Sequence, residues 1–122
     1  MTFDRLVEQG HEVHIAYQTS GNIAVSDDDA MRFAEVSKSL SPNSEKIDSV
    51  ISSILNKGAN EIDALDVRKL KGEIRKAESF GATRYLGVPD KNVHFLNLPF
   101  YETGKVKKDN LSEADIKIMC DF

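Results

Sequence analysis

Apolar residues recur at helical spacing along most of the chain, and in two short segments they run together with β-branched and aromatic residues. These segments, residues 13–17 and 93–96, predict strands, the first of them covered on both faces. Between them the apolar positions fall at i, i+3, i+4 and i+7, which predicts helices. A strand, several helices and a second strand in this order predict an α/β fold with parallel strands.

Capping signals indicate where three of the predicted helices begin or end. Gly10 follows a short apolar helical stretch and predicts its C-terminal cap. Ser26 precedes the aspartates at 27–29, and a serine cap with acidic residues in the first turn predicts a helix that begins there. A short helix near the end of the chain is predicted to begin with a capping box of Ser112 and Asp115. The buried stripe expected for the helix after Ser26 consists of Ala30, Phe33, Val36 and Leu40.

The two helices in the middle of the chain show similar signals. One is predicted from about Ser44 to Gly58. Its regular apolar stripe consists of Ile47, Val50, Ile51, Ile54 and Leu55. The other begins near Asp63, and local signals end it at Phe80 with Gly81 as its cap.

Length and charge limit the classes of function. A chain of 122 residues with 40% hydrophobic content suits one domain. The net charge of −4 argues against a nucleic acid or an anionic membrane as a partner, because phosphate binding needs a basic face. The basic cluster at 105–108 is interpreted as a solvated loop.

Signals for targeting point to a cytoplasmic protein. No apolar run approaches the roughly 20 residues that span a bilayer, and the first residues lack the pattern of a signal peptide. The lone Cys120 forms no internal disulfide, which fits a reducing compartment. Its place near the end of the chain makes it a poor candidate nucleophile.

The histidines are interpreted as structural residues. His11 and His14 have the look of a metal-binding pair, but residues three apart on a strand point to opposite faces and do not chelate one ion. His94 lies in the other predicted strand and has no obvious carboxylate partner in the sequence. No metal ligand is therefore assigned.

The acidic run at 27–29 admits two readings, a site for a hard cation or a helix cap. Capping is favoured, because calcium loops alternate their ligands with spacers and a glycine. The motifs of phosphate loops, dinucleotide-binding folds, serine hydrolases and dithiol redox proteins are absent.

Arg75 and Glu78 are the best polar candidates for a site. Because they lie three residues apart on a predicted helix, they share one face. One reading makes them an ion pair in solvent. The other notes that Ile74, Ala77 and Ala82 look buried, which would leave Arg75 partly desolvated and able to reach a ligand at the carboxyl edge of the sheet.

Several short motifs resemble those of PIG-L/LmbE-like zinc deacetylases, over most of residues 3–101. The matching positions are residues 10–13, Thr19, Gly21, Arg75, Glu78, Ala82, Leu86, Gly87 and residues 95–99. More narrowly, residues 6–29 and 47–101 resemble the deacetylase-like domain that Bacteroides-type bacteria carry fused behind a glucosamine-6-phosphate deaminase domain.

The resemblance implies a partial Rossmann-like three-layer domain, a single incomplete domain over residues 1–122 whose first strand is missing. It also implies that the middle helix runs on to Leu86 with Gly87 as its cap. This longer version is favoured over the end at Phe80, because a buried Gly81 would let the helix approach the sheet closely. Thr19, Gly21 and Asn22 would line the mouth of the site, and Arg75 would contact substrate. No catalytic residue and no metal ligand match, so no cofactor is expected in this chain, whereas complete members hold zinc.

The resemblance supports a first reading and leaves two rivals. In the first, the chain is a fragment of an amino-sugar N-deacetylase-like hydrolase domain, inactive alone, whose parent takes an amino-sugar substrate. In the second, it is a non-catalytic assembly or regulatory module of the deaminase. A flavodoxin-like regulator ranks last, because the aspartate expected after a first strand is missing. A missing first strand would expose a backbone edge beside residues 13–17, so a homo-oligomer also stays open.

Overall fold

The computed structural model describes residues 2–122. Its elements in chain order are α1 (Thr2–Glu8), β1 (Ile15–Tyr17), α2 (Asp27–Leu40), α3 (Glu45–Leu55), α4 (Leu65–Tyr85), β2 (Val93–Phe95) and α5 (Glu113–Asp121). β1 and β2 pair in parallel, which confirms the α/β class and is consistent with part of a Rossmann-like fold. No helix within residues 2–122 combines the length and apolar content needed to cross a membrane.

The chain divides into two compact units, which are described separately. The first contains residues 2–20, 76–103 and 108–122, and the second contains residues 21–75 and 104–107. α4 contributes to both, because its residues up to Arg75 belong to the second unit and those from Lys76 belong to the first.

The first unit is built on the sheet. Tyr17 is paired with Phe95 in the register, and the backbone bonds continue beyond the strands, where the Leu98 N–H donates to the Gln18 carbonyl at 2.9 Å. Phe80 of α4 packs edge-on against Phe95, with ring centroids 5.3 Å apart. The helix therefore covers the sheet face that carries the aromatic residues.

β1 is shorter and more exposed than the sequence predicts. It begins at Ile15, because the carbonyl of Val13 accepts a hydrogen bond from the side chain of Asn92 (3.1 Å) instead of from a strand. Ala16 is exposed, so the expectation of a strand covered on both faces is wrong. Successive side chains of a strand point to opposite faces, so Ala16 lies on the face opposite Tyr17 and Phe95, and Phe80 of α4 makes its contact on the Phe95 face.

A glycine in the left-handed backbone conformation follows the end of α1 and of α4. Gly10 has φ 82° and caps α1 as predicted. Gly87 has φ 79°, and the Val88 N–H donates to the Thr83 carbonyl at 2.9 Å, which is the bond of a Schellman cap. The longer version of α4 is thus confirmed, although the helix ends at Tyr85, and the predicted end at Phe80 is wrong.

Gly81 lies inside α4 with open space beside it. No described atom from outside its own helical backbone and chain neighbours lies within 4 Å of the point where a Cβ would stand, and the residue is exposed. The expectation that Gly81 is buried and brings the helix close to the sheet is therefore wrong.

We expect Gly81→Ala to raise the free energy of unfolding by up to about 1 kcal/mol, because alanine restricts the unfolded chain and meets no clash in the helix. Gly87→Ala is the matched control and should destabilise, since its φ is 79° and Val7 Cγ1 lies 3.1 Å from the added Cβ. Urea unfolding followed by circular dichroism measures both. A loss of stability in Gly81→Ala would show that its surroundings are not open.

Asp115 is the third residue of α5 and forms the predicted capping box with Ser112. Its carboxylate accepts hydrogen bonds from the Ser112 N–H (2.7 Å), the Ser112 hydroxyl (2.7 Å) and the Phe100 N–H (3.0 Å). Burial raises the pKa of Asp115, but these hydrogen bonds outweigh it and hold the pKa below its ordinary value. The carboxylate thereby ties residue 100 to the start of the helix.

The second unit is built on α2, α3 and the first part of α4. Ser26 caps α2 as predicted, since its hydroxyl accepts from the Asp29 N–H at 3.0 Å. The side of α2 that packs inward carries small residues, Ala30 and Ala34, both fully buried. The apolar cluster of this unit consists of Val25, Ala30 and Ile74, with Ile54 and Leu70 packed against it.

Most of the stripe predicted to be buried on α2 faces solvent. Ala30 is buried, but Phe33 is 51% exposed, Val36 60% and Leu40 80%. The prediction is wrong for these three residues because the apolar cluster, which includes Ile54 of α3, packs against the side of α2 that carries Ala30. α3 itself has no fully buried residue, although its limits agree with the predicted helix.

Candidate functional site

A left-handed turn at Gly21 brings predicted binding residues together in the second unit. Gly21 has φ 66°, and the next residue, Asn22, is 2% exposed and begins a 3₁₀ turn. The Arg75 side chain lies across Gly21, with its Nε 3.3 Å from the point where a Cβ of residue 21 would stand. Only glycine suits both this φ and this close approach.

Thr19 belongs to the first unit. It is half-buried and follows β1 at the carboxyl end of the strand, two residues after Tyr17. Its part in lining a site with Gly21, Asn22 and Arg75 stays a prediction.

Arg75 is more accessible than the sequence suggests. Ile74 is buried, but Ala77 and Ala82 are exposed, and so are Arg75 and Glu78. The expected burial around Arg75 is therefore wrong, because α4 turns its small residues toward solvent over this stretch. An accessible guanidinium beside a glycine turn is suited to bind an anionic or hydroxyl-rich ligand.

Two lysines and two aspartates form a closed ion-pair group that the sequence reading missed. Lys71 Nζ lies 2.6 Å from carboxylate oxygens of both Asp27 and Asp63. Lys57 Nζ lies 2.9 Å from Asp27 and 2.6 Å from Asp63. We call these four residues the charge quartet. It joins Asp27, the first residue of α2, to Lys71 in α4. It also joins both to Lys57 and Asp63, which lie between α3 and α4.

The ion pairs favour the charged forms of Asp27 and Lys57. The hydrogen bond from Lys71 lowers the pKa of Asp27, burial opposes this, and Lys57 lowers it further. The hydrogen bonds to Asp63 and Asp27 raise the pKa of Lys57. The Asp27 carboxylate is therefore engaged in ion pairs with Lys57 and Lys71, a role that neither reading of the acidic run included.

The sequence contained one signal for the quartet. Val67, Lys71 and Ile74 lie at i, i+4 and i+7 on α4, and all three are buried. A lysine within an apolar stripe indicates a buried charge that needs carboxylate partners.

A second grouping, in the first unit, pairs two histidines. His14 Nδ1 and His94 Nε2 are 3.0 Å apart, in rings that are nearly parallel (16°) with centroids separated by 5.3 Å. Glu12 Oε1 lies 3.4 Å from the other nitrogen of His14. The partner of His94 is therefore a histidine, and the one carboxylate of this grouping lies beside His14. The sheet register explains the pairing, because His14 lies two residues before Ala16, which is opposite His94.

The residues present do not fit the zinc that the sequence resemblance implies for complete proteins. Within residues 2–122, no three histidine, cysteine, aspartate or glutamate side chains converge in a way that would hold a metal ion. The side chains of His14 and His94 are hydrogen-bonded to each other instead. No reaction step is assigned to a metal in this chain.

Comparison with known proteins connects the chain to a longer one. No family model matches it, and no solved structure matches it significantly. A glucosamine-6-phosphate deaminase-like protein of Bacteroides thetaiotaomicron is 42% identical over 127 residues, which cover 97% of this chain and 19% of that protein. The chain thus spans about a fifth of the length of the curated relative it matches.

Proposed function

We propose that this chain is a deacetylase-like, amino-sugar-binding region of a longer glucosamine-6-phosphate deaminase-like protein, and that it is inactive alone. The similarity to the Bacteroides relative supports the link to amino-sugar metabolism. The observation that carries the binding role is the Arg75 side chain lying across the left-handed turn at Gly21.

The Arg75 side chain suits ligand binding because it is exposed beside this turn. The guanidinium of Arg75 offers several N–H donors in a fixed plane, which match a phosphate or a pair of sugar hydroxyls. Asn22 is 2% exposed, so its expected place at the mouth of the site is not what carries the binding role.

The reaction proposed for the parent is hydrolysis of an N-acetyl amide, in which water adds its oxygen to the acetyl carbon and the C–N bond breaks. The products are acetate and the free amino sugar. The residues of this chain would bind and orient the sugar, while the groups that activate water would come from the rest of the parent.

Arg75→Ala in the full-length parent tests the binding role. A charged hydrogen bond to ligand contributes about 1.5–3 kcal/mol, so kcat/KM for acetate release should fall about tenfold to a hundredfold with little change in thermal unfolding. Glu78→Ala is the matched control, because Glu78 is also exposed and lies one helical turn away.

Activity of Glu78→Ala should stay close to that of the unchanged protein. Equal and slight effects of both substitutions would remove Arg75 from the site. A fall in the unfolding temperature of Arg75→Ala that matches its loss of activity would assign Arg75 a structural role instead.

The second candidate is a non-catalytic assembly module for the deaminase. The observation that favours it is the exposure of Phe33, Val36 and Leu40 on one side of α2. Apolar side chains grouped on a surface mark sites of protein association.

A further inference from the structure

An open apolar groove lies on the surface of the second unit. Its volume is about 870 Å³, and its lining comes from α2, α3, α4 and the residue before α4. The side chains that shape it are Ala34, Ser37, Ile47, Val50, Leu65 and Leu70. Small residues on one wall and aliphatic residues on the others are suited to receive the apolar face of a helix.

The same unit carries a helix face of the matching kind. Phe33, Val36 and Leu40 of α2 lie at i, i+3 and i+7 and are exposed by 51%, 60% and 80%. We call this set the α2 stripe. Spacing of this kind is what a helix uses when it anchors in a groove.

The groove and the α2 stripe lie next to each other on one surface. Ser37 lines the groove, and it is four residues after Phe33 and three before Leu40, so it shares a helix side with both. Because the two features adjoin, one molecule can present both to the same partner molecule.

We propose that this surface binds a second copy of the chain, with the α2 stripe of each copy seated in the groove of the other. A pair of reciprocal contacts about a two-fold axis closes the assembly as a dimer. This proposal goes beyond the proposed function and does not depend on any catalytic role.

Charge supports a second copy as the occupant. The groove is lined by charged residues of both signs, Glu45, Lys46, Asp66, Lys69 and Glu73. The α2 stripe is likewise flanked by Arg32 and Glu35, which are exposed. A surface of mixed charge complements itself when it meets a copy of itself, whereas a surface of one sign would repel it.

Sedimentation of the isolated chain across a wide range of concentration tests the proposal. The unchanged chain should show a monomer–dimer equilibrium. Leu40→Glu in the stripe and Leu65→Glu in the groove should each weaken the dimer by about tenfold or more, because each places a carboxylate in an apolar contact. Both leucines are mostly exposed, 80% and 59%, so neither change should disturb folding.

Leu55→Glu is the matched control, since Leu55 is 71% exposed on α3 and does not line the groove. It should leave the dimer intact. Circular dichroism of each variant verifies that the helices are retained.

Weakening of the dimer by both variants and not by the control supports the proposal. The proposal is overturned if the unchanged chain stays monomeric throughout. Dimers that persist in both variants would overturn it in favour of another contact, such as the edge of β1.

Discussion

Lys71→Met should lower the free energy of unfolding by about 3 kcal/mol or more, the largest effect we expect from a single side chain here. The Lys71 side chain is 4% exposed, and its ammonium group lies 2.6 Å from each of two carboxylates. In the variant, Asp27 and Asp63 would have only Lys57 as a cationic partner. The methionine at position 71 would place a buried apolar side chain beside the two carboxylates. Against a total stability of about 5–15 kcal/mol for a domain, this is a severe loss.

Lys117→Met is the matched control for this prediction. Lys117 also pairs with an aspartate, Asp121, at 3.0 Å, but its side chain is 76% exposed. An exposed pair four residues apart on a helix contributes about 0.3–0.5 kcal/mol, so the control should unfold almost as the unchanged chain does. Similar small losses for both variants in urea unfolding would show that the charge quartet does not stabilise the second unit.

The elements could be predicted from the sequence largely because their signals are local. The Ser26 cap, the capping box at Ser112 and the left-handed glycine after α1 each act within one turn of a helix, and all three are present. A glycine inside a helix resembles a cap, so local signals alone would have ended α4 at Phe80, whereas the resemblance favoured the longer helix that is capped at Gly87.

Which faces are buried could not be predicted in the same way. The spacing of Phe33, Val36 and Leu40 identifies an apolar face, but nothing in the spacing shows whether another element covers it. In the second unit the small residues Ala30 and Ala34 face inward, leaving the larger residues outside. The α2 stripe is therefore the point at which the sequence prediction failed and at which we propose the contact with a second copy.

The site residues Thr19, Gly21, Asn22 and Arg75 stay a prediction drawn from the resemblance. Of these four, the geometry brings Arg75 against Gly21. The pairing of His14 with His94 could not be foreseen, because it depends on the register of two strands nearly 80 residues apart in the chain.

The second large effect concerns the whole parent. Deleting the segment that matches residues 1–122 from the Bacteroides relative should abolish the release of acetate from an N-acetylated amino-sugar phosphate. The release of ammonia from glucosamine 6-phosphate should continue, because the proposal places deamination in the remaining four-fifths of the protein. Retained ammonia release also serves as the control that the remainder is folded.

Acetate and ammonia measured in parallel, for the intact relative and for the deleted form, test the central claim most directly. The account predicts that acetate release requires the segment and that ammonia release does not. An intact relative that releases no acetate would contradict the claim, as would a deletion that lowers ammonia release and leaves acetate release unchanged.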